Sequence, residues 1–382
     1  MRYNRSTLIG TPLFLKNQKL NFSTYPLKNS RPITVSNNIY IKNPWPLLRD
    51  CAIKYTRTKT QKEAAVAAVE QSRQFMTAAQ SVKLSSAYPV LLYYSLFNLV
   101  KCHAYISNAL SPLQRLNHGL SAVNGYSTDL DSTHEIEVFN DDPKSSRNAF
   151  ALYASLCDAK KSARKITLRS FSRSILIGHR TYCEAANISE KFIAARDPQF
   201  HQSLNRKGKQ NGPMVTFIVS PDDMSRCNIS EKSLLRVCGM DSKWKVITKE
   251  LYFSQHALVI GVHLRTVPSR NALDMPTKIR ELSKITSSKL WTVANTDAPN
   301  FRRYYFHANA IDTLPQRVAE FAFLFYLGSM ARYHPQKYND LTNGKYGPFI
   351  NEYLSNAAAQ IVYVTGSAIA KRILAQPSVA NI

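Results

Sequence analysis

Glycine is scarce in this chain, 12 in 382 residues, and none of the twelve builds a G-x-x-x-x-G-K-[ST] loop or a strand-turn-helix G-x-G-x-x-G. A nucleotide hydrolase or a dinucleotide enzyme of those types needs such a backbone cradle for its phosphates, so both classes drop out. H-E-x-x-H, zinc-finger spacing and the G-x-S-x-G elbow are missing as well. The six cysteines, Cys51, Cys102, Cys157, Cys183, Cys227 and Cys238, are scattered without a C-x-x-C pair, which reads as reduced thiols rather than a disulfide framework. No cofactor and no metal is expected. No run reaches the roughly 18 uncharged apolar residues of a membrane span, and the first residues lack the apolar core of a signal peptide. The expectation is a soluble, cytoplasmic chain without membrane contact.

Acid is the other shortage. Asp and Glu number 25 against 50 Lys and Arg, a formal charge of +25 with a pI near 9.8. A field of that sign draws a polyanion, nucleic acid first. Hydrophobic residues make up 44%, enough for a core that needs neither disulfide nor metal.

What is present is organised around one apolar stretch, Ser85 to Ile106. It opens on hydroxyls and Pro89, contains no glycine and is apolar nearly all round, which predicts a buried central helix. Pro112 and the His118-Gly119 turn are its expected end. Ahead of it, Ala65, Ala68, Val69, Phe75, Met76 and Ala79 mark one face of an amphipathic helix. Asn124 to Lys144 carries Asp129, Asp131, Glu135, Glu137, Asp141 and Asp142, and reads as an exposed loop or as an internal counter-charge to the basic residues that follow. A short helix is expected from Ser146 to Ala159. Runs at Lys165–Arg169, Ser174–Ile177, Met214–Val219, Lys243–Ile247, His256–Leu264, Lys289–Val293 and Phe301–Phe306 then predict strands. Helical periodicity returns at Thr313, with Pro315 in the first turn, runs to His334 and resumes from Pro348 to Leu374.

The expected organisation is an extended arm over 1–44, half of a helical core over 45–125, the acidic loop and short helix over 126–164, a basic β-rich insert over 165–310 and the second half of the core over 311–382. The fold class is α+β, a split helical bundle from N- and C-terminal helices with a β-rich, mostly antiparallel insert between them.

Tyr93-Tyr94-Ser95-Leu96-Phe97-Asn98-Leu99-Val100-Lys101, followed by Asn117-His118-Gly119-Leu120, resembles the helix and turn of HEPN-type proteins. With Pro44-Trp45 and Ser329-Met330-Ala331-Arg332-Tyr333-His334-Pro335 added, the chain is similar to the YaaC-like bacterial family over about two-thirds of its length in outline, the middle matching only in character. The resemblance implies a HEPN-like helical core. Through that core it implies RNA binding, or metal-independent ribonuclease chemistry, in an antiphage defence or toxin-type system. HEPN nucleases pair an arginine with a histidine a few residues later, one for phosphate charge and one for the proton. Arg173 with His179, Arg196 with His201 and Arg302 with His307 have that spacing; about two such pairs arise from composition alone.

His118 with Arg115, and His334 with Arg332, each stand at an expected helix end. If those ends converge, a phosphate meets two kinds of cation and imidazole can serve as acid or base. These four are the candidate catalytic residues, and capping of helix C-termini is the structural alternative. The candidate nucleic-acid contacts are Lys160, Lys161, Arg164, Lys165, Arg169 and Arg173, with Arg206, Lys207, Lys209, Arg302 and Arg303: cations for backbone phosphates, with Phe171 and Tyr182 interleaved for stacking. The expected partner is RNA or single-stranded DNA. A non-catalytic scaffold that docks an acidic protein partner encoded nearby is the alternative from another class, and a metal-independent ribonuclease is the third.

Overall fold

A computed structural model describes residues 7–15, 18–20, 22, 38–83, 85–122, 125–139, 146–159, 165–205, 210–252, 255–263, 275–294, 304–309 and 314–376. The chain folds into two compact units. A helical unit takes Ile41–Ile188 and Asp312–Ala370, and a sheet unit takes Met1–Tyr40, Ser189–Ile311 and Lys371–Ile382. The fold is the expected α+β class, with helices from both ends of the chain packed together and antiparallel sheets inserted between them in sequence.

Helices α1 (Trp45–Tyr55), α2 (Lys59–Ser81) and α3 (Tyr88–Ile106) open the helical unit. Thr58 starts α2 by accepting from the Gln61 N–H at 3.2 Å, a side-chain cap for an otherwise orphaned donor. No residue of α3 is exposed. Where α2 crosses it, Ser72 Oγ donates to the Ser95 carbonyl at 2.7 Å and Ser95 Oγ donates back to the Ser72 carbonyl at 3.0 Å, small side chains that let two helices approach closely. The helix ends at Ile106, before a left-handed Asn108 with φ 57°, and so earlier than Pro112 and the His118 turn.

Within the acidic segment, Glu135–Val138 is a strand rather than loop. Leu120–Ser121, Glu135–Val138 and Lys165–Thr167 form a three-stranded antiparallel sheet, and Arg115–Asn117 pairs in parallel with Ser146–Asn148. Helix α4 (Ala149–Leu156) follows, capped by Asn148. The expected strand Lys165–Arg169 stops at Thr167, whose hydroxyl accepts from the Ser170 N–H at 3.2 Å and starts α5 (Leu168–Ser172). The expected strand Ser174–Ile177 is a turn leading into α6 (His179–Ala186).

In the sheet unit, strands Thr7–Pro12, Arg196–Asn205, Gln210–Val219, Gln255–His263 and Trp244–Tyr252 lie in that order in one antiparallel sheet. Thr7–Pro12 of the N-terminal arm is therefore an edge strand of a sheet. Helices α7 (Pro221–Arg226), α8 (Leu234–Val237) and α9 (Met275–Ser287) accompany this sheet, with a second one of Phe192–Ala194, Tyr304–His307 and Leu290–Thr292. Val215, Phe217 and Val219 face one core at every second position, as a pleated strand requires. There Phe217 stands 5.5 Å from Phe22, 5.2 Å from Phe306 and 5.9 Å from Trp244, centroid to centroid.

The chain then returns to the helical unit as α10 (Gln316–Tyr333), α11 (Pro335–Asn343), α12 (Gly347–Gln360), a π-helical turn at Ile361–Thr365, and α13 (Gly366–Ala370). Every residue from Val318 to Ala331 is buried. The expected continuous helix to Leu374 is broken twice. The run Ile361-Val362-Tyr363-Val364-Thr365, rich in β-branched side chains, opens into the π turn. Lys371 then takes φ 54°, and Ile373–Ala375 pairs in parallel with Asn38–Tyr40. Among the described residues, no helix is long and apolar enough to cross a membrane.

Candidate functional site

Tyr93, Phe97 and Lys101 recur at every fourth position of α3 and so share one stripe of it, with Tyr94 beside them. Helix α10 crosses this stripe at Gly328. A Cβ there would come within 3.3 Å of Val90 Cα and 3.4 Å of the Pro89 carbonyl, so the missing side chain sets the approach of the two helices. On α10, Phe321 and Phe325 pack on Tyr93 at centroid distances of 5.3 and 5.7 Å. One turn past Gly328, Arg332 donates from Nη1 to the Tyr94 hydroxyl at 2.8 Å, and its guanidinium lies 4.3 Å from the centroid of the Tyr333 ring.

His118 comes to the same place by a different route. It follows the strand Arg115–Asn117 and precedes Gly119, whose φ is 79° and whose Cβ would stand 1.8 Å from Asn148 Oδ1. Only glycine fits that turn, and the turn lays the imidazole back over α3. The ring is half-buried among Phe97 at 5.1 Å, Tyr93 at 5.4 Å and Tyr94 at 6.0 Å. Its Nδ1 and the Tyr93 hydroxyl share a hydrogen bond of 2.7 Å. His118 is therefore not a cap on α3.

The electrostatics of this cluster are one-sided. Burial, then the charges of Arg332 and Lys101, push the His118 imidazole below its ordinary value. Burial, then the neighbouring Tyr94, pushes the Tyr93 phenol well up, against the pull of Arg332. Burial alone lowers the Lys101 ammonium, which sits 4.9 Å from the Phe97 ring centroid. Among the described residues, no carboxylate forms an ion pair with Lys101 or Arg332. The arrangement suits an anion: two cations whose charges reach one imidazole, with phenol groups beside it.

His334 ends α10 with its backbone N–H on the Met330 carbonyl at 2.8 Å, and its exposed ring lies 4.9 Å from that of Tyr126. Tyr126 is held to α11 by Lys337, whose Nζ donates to its carbonyl at 2.9 Å. Arg115 stands exposed on its strand and makes no polar contact with the cluster. Of the four candidate catalytic residues, His118 and Arg332 are thus brought together, His334 lies two residues past Arg332, and Arg115 stays apart.

The described part of the basic run is matched by the acids ahead of it. Arg173 makes a two-pronged contact with Asp131, Nε to Oδ1 at 2.8 Å and Nη2 to Oδ2 at 2.9 Å, and the Tyr182 hydroxyl donates to the same Oδ1 at 2.6 Å. Arg169 donates to the Asp131 carbonyl at 2.9 Å, and Lys165 meets Glu135 at 2.6 Å. Asp131 and Glu135 are the internal counter-charge to these three cations. Lys160, Lys161, Arg164, Arg206, Lys207, Lys209, Arg302 and Arg303 lie outside the described residues. Of the spaced Arg/His pairs, Arg173 is committed to Asp131, His179 Nε2 lies 3.2 Å from Cys183 Sγ, and Arg196 donates to Asp223 at 3.2 Å.

Tyr93, Tyr94 and Lys101 carried no assigned site role in the sequence, although the fourfold spacing of Tyr93, Phe97 and Lys101 already set those three on one stripe. A family model described as YaaC-like Protein matches residues 29–369. No curated protein and no solved structure matches the chain.

Proposed function

The chain belongs to the YaaC-like protein family, and on that footing we propose that it binds nucleic acid, RNA ahead of DNA, through a HEPN-like helical unit that holds a backbone phosphate between Lys101 and Arg332. The observation that carries this is the pair of cations, Lys101 and Arg332, whose charges act on His118 with no described acid in ion pair with either, in a chain of formal charge +25. A half-buried ammonium that has lost hydration and gained no carboxylate is stabilised by an incoming anion. Arg332 spends one N–H on Tyr94 and keeps donors for phosphate oxygens.

The test is a filter-binding titration of the full chain with RNA and with DNA of the same sequence, over a range of salt. Affinity that falls log-linearly with salt is expected, with RNA the tighter ligand, because each neutralised phosphate releases counterions. No affinity for either polymer, or affinity indifferent to salt, overturns the proposal. The HEPN resemblance extends it to an effector or accessory subunit of a bacterial antiphage or toxin-type system. Phage plating on cells with and without the gene tests that part: fewer plaques are expected with it, and equal plating counts against it.

His118 also supports ribonuclease chemistry. With Nδ1–H donated to the Tyr93 oxygen, Nε2 is left to take a proton from a ribose 2′-hydroxyl while the two cations hold the phosphate. On this basis His118→Ala abolishes RNA cleavage, and cleavage unchanged in that variant removes the residue from the chemistry.

A further inference from the structure

Helix α10 buries its side chains from Val318 to Ala331 and then presents three exposed residues in succession, Arg332, Tyr333 and His334. Tyr333 is 62% exposed, so packing does not account for a large aromatic there. Arg332 covers it from one side, its guanidinium 4.3 Å from the ring centroid, and most of the remaining ring surface is open. Next to it the Tyr126 and His334 rings stand 4.9 Å apart, with the Lys337 ammonium at the Tyr126 carbonyl. The acid of α11, Asp340, accepts from Gln336 at 3.4 Å. The ledge thus combines open aromatic faces with cations and little opposing charge.

Those two ingredients together have a specific use. A base whose face is free can stack on a tyrosine ring while neighbouring cations hold its phosphates, and the contact tolerates any sequence because every base has a π face. An arginine already seated on the ring adds a cation to the same stack. In a duplex the base faces are covered by their neighbours, and the phosphates, sugars and groove edges that remain offer no face to stack on.

Building on the nucleic-acid function proposed above, we propose that Tyr333 is a stacking platform for an unpaired nucleobase, so that the ligand of this site is single-stranded nucleic acid, with its backbone lying along Arg332 and Lys101. An acidic peptide would use the cations and leave the exposed ring without a partner.

The experiment is fluorescence anisotropy on the full chain with a labelled single-stranded RNA and with the same RNA annealed to its complement. Wild type is compared with Tyr333→Ala, Tyr333→Leu, Tyr333→Phe and Arg332→Gln. Tyr333 is exposed, so its variants keep the fold, and a thermal melt of each confirms it. Wild type is expected to prefer the single strand. Tyr333→Ala and Tyr333→Leu are expected to lose about 5- to 100-fold in single-strand affinity, with duplex affinity unchanged and Tyr333→Phe close to wild type. An unchanged single-strand affinity in Tyr333→Ala, or an equal loss on both forms, overturns the stacking role. If Arg332→Gln weakens binding in that case, phosphate recognition survives without it. Absence of binding by wild type to either form overturns both proposals together.

Discussion

The Tyr93 hydroxyl and His118 Nδ1 stand 2.7 Å apart although 25 positions separate them in the chain. The contact fixes the imidazole against α3, beside Lys101 and Arg332, where burial and two positive charges hold it below its ordinary value. A neutral ring at neutral pH follows, since the ordinary value is already about 6.5.

An anion favours the protonated imidazole, so proton uptake and RNA binding are linked. As pH falls from about 6.5 through the lowered His118 value, RNA affinity is expected to rise several-fold, and His118→Gln is expected to flatten that rise. Anisotropy titrations between pH 5 and pH 8 read it directly. Parallel profiles for the two proteins would show that His118 does not face the ligand.

Gly328 controls where Arg332 arrives. Gly328→Val places methyl groups against Val90 and Pro89, whose atoms already lie 3.3 and 3.4 Å from a hypothetical Cβ. Overpacking of that kind costs about 2–3 kcal/mol, measured as a shift in urea unfolding, and Gly328→Ala should cost less. RNA affinity should fall with the valine variant, since Arg332 lies one turn away on the displaced helix.

Asp131 gathers Arg173, Tyr182 and the Arg169 side chain. Asp131→Ala leaves a partly buried guanidinium and a phenol without their acceptor, and is expected to destabilise the fold by about 3 kcal/mol. An unfolding midpoint within error of wild type would show that this network does not hold α5 and α6 in place.

Glu320 is buried in the helical unit, where Gln316 and Gln360 donate to its Oε1 at 3.2 and 3.1 Å. Burial pushes its carboxyl up to about 7, the two amides and then Arg317 working the other way, while the Tyr153 and Tyr353 phenols add no charge at neutral pH. The folded value is above the unfolded one of about 4.3, so the stability attached to this group is complete below about pH 4.3 and is lost as pH rises towards 7. Glu320→Gln keeps the Oε1 acceptor and removes the titration. Its stability relative to wild type should grow by on the order of 3 kcal/mol between about pH 4.5 and pH 7.5. A constant difference across that range would place the carboxyl in a more polar setting than its neighbours indicate.

The helical half of the fold was legible because its signals are local. Apolar residues with no glycine and proline in the first turn mark α3, and a 3.6-residue period marks α2. The end of α13 was not legible, because Ile373-Leu374-Ala375 becomes a strand by pairing with Asn38–Tyr40, more than 300 residues earlier. Thr167 shows the same limit at short range: the β-branched residue that ends its strand also caps α5, so Leu168 and Arg169, which read as strand, start a helix. His118 and Arg332 stood out as a histidine and an arginine at breaks in helical pattern. Their meeting place on Tyr93 and Tyr94 depends on a helix crossing at Gly328, which no spacing within either segment encodes. The pairing of Asp131 with Arg173 was equally hidden, since 42 positions, with the strands Glu135–Val138 and Lys165–Thr167 among them, separate charge and counter-charge.

The central claim is that Lys101 and Arg332 bind a phosphate. Its most direct test is the slope of log affinity for RNA against log salt in wild type and in the Lys101→Gln, Arg332→Gln double variant. Loss of the one phosphate contact is expected to reduce the slope by about 1, so the double variant should bind more weakly and with a slope smaller by about 1. Unchanged affinity and slope in a double variant that melts like wild type would contradict the claim.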